Sequence, residues 1–310
     1  MQPVLLGNTG ISVSPLCFGT LPFSPLQAYT GEPDAAGEVL ARAFALGVSF
    51  IDTAQLYNNY AALKAGLSRA DRNITVASKT YAYTREAAVA AVEEARYGLA
   101  RDVIDIFLLH EQESEHTLRG HGEALEALYG LKAKGAVRAV GLSTHHVAGV
   151  RAAVDAGLDV VHPLLNIEGL GIADGSREDM EEAVAAAMGA GLGVYVMKAL
   201  GGGHLFRQAR EALGYARQWG HSVALGMRDT AEVEAAVGFF KTGDLPPLTG
   251  HKTRSLHIAD WCTGCGRCAE ACGSGALEIV NGAARLKNAG CSLLCGYCGA
   301  ACPDFCIKVI

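Results

Sequence analysis

Nine of the ten cysteines lie between Cys262 and Cys306, in two runs, Cys262-x2-Cys265-x2-Cys268-x3-Cys272 and Cys291-x3-Cys295-x2-Cys298-x3-Cys302-Pro303. Three thiolates two residues apart can wrap one iron–sulfur cubane, while a fourth, three residues further on, leaves in a new direction and ligates the other cluster. The spacing therefore predicts two [4Fe-4S] clusters held by these eight cysteines, with Cys272 and Cys302 as the crossing ligands. A four-thiolate zinc ribbon built from Cys262/Cys265 and Cys295/Cys298 leaves the remaining thiols unexplained. A disulfide scaffold needs an oxidising compartment, and the opening MQPVLLGNTG has neither the basic region nor the sustained apolar run of a secretion signal. Cys291 is the least regular ligand because its run opens with x3. Cys306 is its alternative, although the setting Asp-Phe-Cys-Ile-Lys reads as a packed residue, and Cys17 reads as core.

A second constellation lies upstream. Asp52 closes Phe-Ile-Asp-Thr-Ala, Tyr57 follows five residues later, Lys79 closes Ala-Ser-Lys-Thr and His110 closes Phe-Leu-Leu-His. A phenol with a reference pKa near 10 donates protons poorly at neutral pH unless a neighbouring ammonium favours its ionised form. Lys79 could do this while Asp52 holds and balances the lysine, and His110 could orient a carbonyl. Any one of these residues alone reads as a helix cap or a structural histidine; four at successive apolar-run ends read as an acid relay.

Elements must bring these residues together. From Val4 to about Phe240, short Val/Ile-rich runs alternate with Ala/Glu-rich helical stretches, the mark of successive βα units on a parallel sheet. Eight strands are expected, over Leu16–Gly19, Val48–Asp52, Ile74–Ser78, Ile104–Leu109, Ala139–Leu142, Val160–Asn166, Val194–Met197 and Val223–Gly226. The expected fold is α/β, a (β/α)8 TIM barrel with a small C-terminal ferredoxin-like α+β iron–sulfur domain. In such barrels the C-terminal ends of the strands carry the chemistry, which is where the four residues fall. Thr84 with Glu86, and Asp229 with Glu232, mark helix starts, and VLLGNTGISVS reads as a hairpin closing the barrel's bottom. Asp244-Leu-Pro-Pro-Leu-Thr-Gly250 breaks any helix, so the divisions are residues 1–243 barrel, 244–256 linker and 257–310 iron–sulfur domain.

The net charge of −6 argues against nucleic acid or an anionic membrane as partner, and the longest uncharged stretch, Met1 to Gly31, is too broken by Pro, Gly and hydroxyl residues to span a bilayer. A cytoplasmic location is expected. Residues 251–310 carry six Lys/Arg against four acids, an excess of +2 that suits anionic thiolate clusters.

On these motifs the chain resembles the aldo-keto reductases, barrel enzymes that reduce carbonyls with NADPH, and its tail resembles a bacterial two-cluster ferredoxin. Gly7-Asn-Thr-Gly-Ile-Ser-Val-Ser14 is similar to the family's opening hairpin, Asp52-Thr-Ala-x-x-Tyr57 to its signature, and Gly141-Leu-Ser-Thr-His145 to the fifth-strand motif of ferredoxin-fused members. The resemblance implies that Tyr57 is the general acid, that Lys79 and Asp52 tune it, that His110 positions the substrate, and that Ser143 and Asn166 contact the nicotinamide carboxamide. Lys198 with Gly201-Gly202-Gly203, and Gly226-Met-Arg228, follow the last two strands, where barrels hold phosphate. Arg228 there would meet a 2′-phosphate and favour NADP(H). Substrate is then a small carbonyl or alcohol, with a redox protein as a further partner.

The chain also departs from the family. Asn58-Asn-Tyr-Ala61 replaces the Gly-x-Ser-Glu that usually follows the tyrosine, and Ala235-Ala236 stand where Glu-Asn commonly meets adenine. Hydride carries two electrons, a cluster accepts one, and no flavin motif is present to adapt them. Two other functional readings stay open from the sequence: an electron-transfer protein whose barrel docks a partner, and a reductase whose clusters are structural or redox-sensing.

Overall fold

The computed structural model describes residues 1–27, 29–203, 205–246, 256–273, 275–287, 297–303 and 306–309. A short antiparallel hairpin comes first, β1 (Val4–Leu5) with β2 (Ser12–Val13). Eight parallel strands then close into a barrel: β3 (Leu16–Gly19), β4 (Phe50–Asp52), β5 (Thr75–Thr80), β6 (Ile104–Leu109), β7 (Val137–Thr144), β8 (Val160–Pro163), β9 (Gly193–Val196) and β10 (Ser222–Gly226). Each pairs with the next in sequence, and β10 pairs back onto β3 with Val223 opposite Leu16. All eight strands fall where the alternation of apolar runs puts them, with ends that differ by a few residues.

Outside the barrel lie α1 (Pro33–Ala45), α2 (Tyr60–Leu67), α3 (Arg85–Leu99), α4 (Glu115–Gly120), α5 (Gly122–Ala133), α6 (Val147–Asp155), α7 (Arg177–Gly189), α8 (Ala209–Ala216) and α9 (Thr230–Thr242). Thr84 caps α3 by accepting the Ala87 N–H, and Asp229 caps α9 by accepting that of Glu232. The second helix is short, at 8 residues.

The period of two along each strand sorts side chains between two cores. Leu16, Phe18, Ile51, Val76, Phe107, Leu109, Val140 and Val194 face the helices. Cys17, Phe50, Ala77, Ile106, Leu108, Ala139, Val160 and Tyr195 fill the barrel interior, where Leu6, Ile11 and Val13 of the hairpin join them. The hairpin thus plugs one end. Asp52 is two residues from Phe50, Lys79 two from Ala77, and His110 two from Leu108, so all three share the inward parity at the other end.

In the tail, β11 (Leu256–Ile258) pairs with β14 (Ile307–Val309), and β12 (Leu277–Val280) with β13 (Ala283–Leu286), around the single-turn helices α10 (Arg267–Glu270) and α11 (Tyr297–Ala300). Leu277, Ala284 and Ile307 pack there against Cys268 and Cys298. Among the described residues no helix is long and apolar enough to cross a membrane.

Gly141 sits mid-strand between β6 and β8, where an added Cβ would overlap the Val160 carbonyl oxygen. Gly141→Ala should cost roughly 3 kcal/mol, read as a lowered denaturation midpoint with unchanged m-value.

Candidate active site and cluster-binding tail

The strand ends converge as their parity requires. Lys79 Nζ donates to Asp52 Oδ1 at 2.7 Å and to the Thr53 carbonyl at 2.7 Å, and the pair is almost fully buried, Lys79 at 1% and Asp52 at 4% exposure. The other carboxylate oxygen, Oδ2, accepts the Tyr195 hydroxyl at 2.8 Å. Lys79 Nζ lies 5.2 Å from the centre of the Tyr57 ring. The Tyr57 ring meets the His110 ring edge-on at 5.9 Å, and the other aromatic neighbour of His110, Tyr81, stacks on it at 4.5 Å. Asp52, Tyr57, Lys79 and His110 therefore form one cluster at the barrel mouth.

The electrostatics differ from the sequence expectation in one respect. The Tyr57 phenol is held above its ordinary value, by burial first and then by the Asp52 and Glu111 carboxylates. Asp52 binds Lys79 at contact distance, so the ammonium is largely compensated locally and does not overcome the loss of solvent. His110 is pushed down to about 2 by burial and then by Lys79, and its ring is neutral at physiological pH. Its buried Nδ1 has no hydrogen-bond partner among the described residues.

Several contributors escaped the sequence reading. Asn58 takes the left-handed conformation, φ 48°, that closes the turn after Tyr57, a role open to asparagine. Asn59 accepts the Thr53 hydroxyl at 2.8 Å and donates to the Thr20 carbonyl at 2.9 Å. The residues that depart from the family pattern thus tie the Tyr57 turn to β3 and β4. Glu111 also has positive φ, 51°; its N–H donates to Ser143 Oγ at 2.9 Å and its carboxylate accepts the Tyr81 hydroxyl. Tyr195 and His162 are inward residues of β9 and β8, stacked at 3.9 Å. Burial pushes His162 down to about 4, against the opposing pull of Asp52. The inward parity of their strands was the signal available for them.

The expected dinucleotide residues are less well grouped. Ser143 is buried at the end of β7, beside His110's strand. The Asn166 carboxamide is taken up in its own loop: it donates to the Leu170 carbonyl at 2.8 Å and accepts the N–H groups of Leu170 and Glu168. Nothing in that arrangement turns Asn166 toward a nicotinamide. Lys198 is exposed at the rim with φ 59°. Of the glycine triplet, Gly201 N–H donates to the Lys198 carbonyl and Gly203 N–H to that of Leu200. Gly226 lies beneath Pro22, and the Arg228 guanidinium donates to the Gln27 carbonyl at 2.9 Å. Of the donors expected in a phosphate cradle there, the Gly201, Gly203 and Arg228 amides and one Arg228 guanidinium nitrogen have partners within the chain.

In the tail, Cys262, Cys265, Cys268 and Cys302 line one cavity, the three-plus-one set that the spacing calls for. The Ala284 N–H donates to Cys262 Sγ at 3.4 Å, Ala276 to Cys272 at 3.3 Å and Cys306 to Cys302 at 3.2 Å. Such amide contacts stabilise thiolate charge, so these residues fit a [4Fe-4S] cluster. No described cysteine forms a disulfide. Cys272 and Cys298 pack beside this cavity in the same small core, while Cys291 and Cys295 lie outside the described residues. Cys306, buried at 2% exposure, lines the first cavity rather than taking up a place remote from it.

Acidification should destabilise the fold. His110 and His162 are depressed in the folded state relative to about 6.5 unfolded. Their neutral burial therefore contributes stability that is present above about pH 6.5 and lost as pH falls toward the folded values. Denaturation at stepped pH should show stability falling between pH 7 and pH 4, with a weaker fall in His162→Gln; equal slopes for the two proteins would refute the assignment to His162.

Comparison with known proteins agrees with this architecture. Residues 15–239 match the aldo/keto reductase family, and residues 257–278 match the 4Fe-4S binding domain. Over 150 residues the chain is 29% identical to L-galactose dehydrogenase of Arabidopsis thaliana, covering 44% of this chain and about half, 47%, of that relative's length. Among solved structures, a putative aldo-keto reductase from Pseudomonas aeruginosa superposes with a TM-score of 0.66 at 23% identity, over 78% of this chain and 94% of that one. An aldo-keto reductase from Bacillus halodurans in its holo form gives 0.64 at 20% identity, over 77% and 90%. A match over most of the chain, on a closed eight-stranded barrel followed by a cysteine-rich tail, places this chain in the aldo/keto reductase family, with a 4Fe-4S binding domain in its C-terminal part.

Proposed function

We propose that residues 1–243 bind a nicotinamide dinucleotide and interconvert a small carbonyl and its alcohol, and that residues 257–310, after a linker over 244–256, hold two [4Fe-4S] clusters. When bound, the nicotinamide supplies a two-electron hydride and the clusters supply one-electron storage and transfer. The observation that carries the reading is the Asp52–Lys79 ion pair buried against the Tyr57 ring, with the neutral His110 ring on its other side.

The roles follow from charge. A phenol held above its ordinary value keeps its proton at neutral pH, and it releases that proton only to a strong base such as the alkoxide oxygen that develops on a carbonyl being reduced. Lys79, fixed by Asp52 and the Thr53 carbonyl, stabilises the negative charge left on Tyr57 without moving. The neutral imidazole of His110 can hydrogen-bond the carbonyl oxygen and hold it toward Tyr57; a charged ring would raise the cost of bringing Lys79 so near. Leu56 and Tyr83, exposed at the same rim, offer apolar surface to the rest of the substrate. The likeness to a dehydrogenase named for a sugar supports a hydroxyl-bearing substrate.

A second reading, electron transfer to a docked redox protein, has one observation in its favour: the amides of Gly201 and Gly203 already have partners within the chain. Anaerobic addition of reduced dinucleotide separates the two, since bleaching of cluster absorbance requires that the dinucleotide bind and pass electrons.

Tyr57→Phe should lower kcat for carbonyl reduction by about 10²–10⁴-fold with the fold retained; unchanged turnover would remove Tyr57 as proton donor. Protein purified without oxygen should contain roughly eight irons and eight acid-labile sulfides per chain. About four of each would mean that only one cluster is built.

A further inference from the structure

Among the described residues three buried side-chain polar atoms have no hydrogen-bond partner, His110 Nδ1, Gln112 Oε1 and Arg177 Nε. Arg177 Nε has the Glu181 carboxylate 3.2 Å away as its ion pair. The other two atoms belong to residues two apart, on the turn that follows β6 at the barrel mouth. Both residues are almost fully buried, His110 at 5% and Gln112 at 2% exposure. A buried polar atom left unmatched bears the full loss of its solvation, so two of them in one turn point to a common partner.

Gln112 is held with its carboxamide against His110. Its backbone N–H donates to the Ser143 carbonyl at 2.8 Å, and its side-chain Nε2 donates to the His110 carbonyl at 3.2 Å. Helix α6 closes over it at Gly149, where an added Cβ would lie 2.6 Å from the Gln112 carbonyl oxygen. The His110 ring is fixed as well, with Tyr81 stacked on it at 4.5 Å and Tyr57 edge-on at 5.9 Å. The planar carboxamide anchored on the His110 backbone thus carries Oε1 into the neighbourhood of the ring. No direct hydrogen bond joins Oε1 to Nδ1.

We infer that one internal water bridges His110 Nδ1 and Gln112 Oε1, and that Gln112, through this water, is the positioning residue that keeps the proton of the neutral imidazole on Nε2. A carboxamide oxygen only accepts, whereas a neutral imidazole has one donor and one acceptor nitrogen. Water satisfies both atoms by donating one hydrogen to each. In the reverse arrangement Nδ1–H donates to the water, and one water hydrogen has no acceptor among these groups. Buried donors are left unpaired more rarely than buried acceptors. Internal waters take such places, between polar groups that the chain leaves unmatched. With Nδ1 accepting, Nε2 carries the hydrogen. A carbonyl oxygen must be met by a donor, so the catalytic value of this tautomer rests on the carbonyl reading proposed above; the water site does not.

A high-resolution crystal structure of the anaerobically purified full chain should show an ordered water about 2.7–3.2 Å from both atoms. Protein atoms filling the space between them would overturn the bridge. Tautomers are not seen at ordinary resolution, so the proton is located by ¹⁵N NMR of the same protein labelled at histidine, with the His110 signal identified by its loss in His110→Gln. The proton should lie predominantly on Nε2; a proton on Nδ1, or one shared equally, refutes the role given to Gln112. Gln112→Met keeps the side chain's length and removes both polar atoms. In this variant the water should be lost and the Nδ1-protonated form should rise about fivefold, the population shift that loss of one ordinary hydrogen bond gives. A Gln112 that only fills space would leave the tautomer where it was, and that result also overturns the proposal. Should Gln112→Met not fold, the two measurements on the unaltered protein decide. A protein that shows the water and the Nε2 tautomer, yet whose turnover is unchanged in Tyr57→Phe, keeps the bridge and loses the reaction.

Discussion

The Asp52–Lys79 ion pair is the constraint around which the mouth of the barrel is organised. Removing both charges from water is costly, and the attraction repays it only where the geometry is close and the remaining donors and acceptors are satisfied. Here Lys79 has the Thr53 carbonyl as a second acceptor, and Asp52 has the Tyr195 hydroxyl as a second donor. Loss of either partner would leave the other charged, buried and unmatched. The pair thus fixes the relative positions of β4, β5 and β9 at their C-terminal ends, and Tyr57 and His110 are aligned against a charge that does not move.

Buried charge at the centre sets the chemistry of its neighbours. The imidazoles of His110 and His162 are both driven toward neutrality, with desolvation the leading cause in each. The phenol of Tyr57 is driven toward its protonated form for the same reason. A group intended to release a proton only at the moment of reaction suits such a place, since solvent cannot take it beforehand. The left-handed turns at Asn58 and Glu111 flank this region, one after Tyr57 and one after His110. Backbone held in that region at non-glycine residues is the kind of local strain that packed surroundings sustain near functional sites.

The tail solves a different problem with little core. Among the described residues, Leu277, Ala284 and Ile307 are the buried apolar side chains that pack with its cysteines, and units this small commonly draw on bound metal for stability as well. Thiolates bound to metal would supply the rest, and the amides directed at Cys262, Cys272 and Cys302 are placed to offset their charge.

Much of this was legible in the chain itself. Local periodicity placed eight strands, and because parity along a strand is strict, the strand-end residues Asp52, Lys79 and His110 were certain to share the interior once the barrel closed. The cysteine spacing likewise encoded the grouping of Cys262, Cys265, Cys268 and Cys302. Contacts between distant segments were not encoded in any local pattern. Tyr195 reaching Asp52 across 143 residues, Asn59 tying down the Tyr57 turn, and the compensation of Lys79 that leaves Tyr57 high are products of closure. These were decided only in three dimensions, because each of those hydrogen bonds joins segments whose own apolar patterns carry no record of the partner.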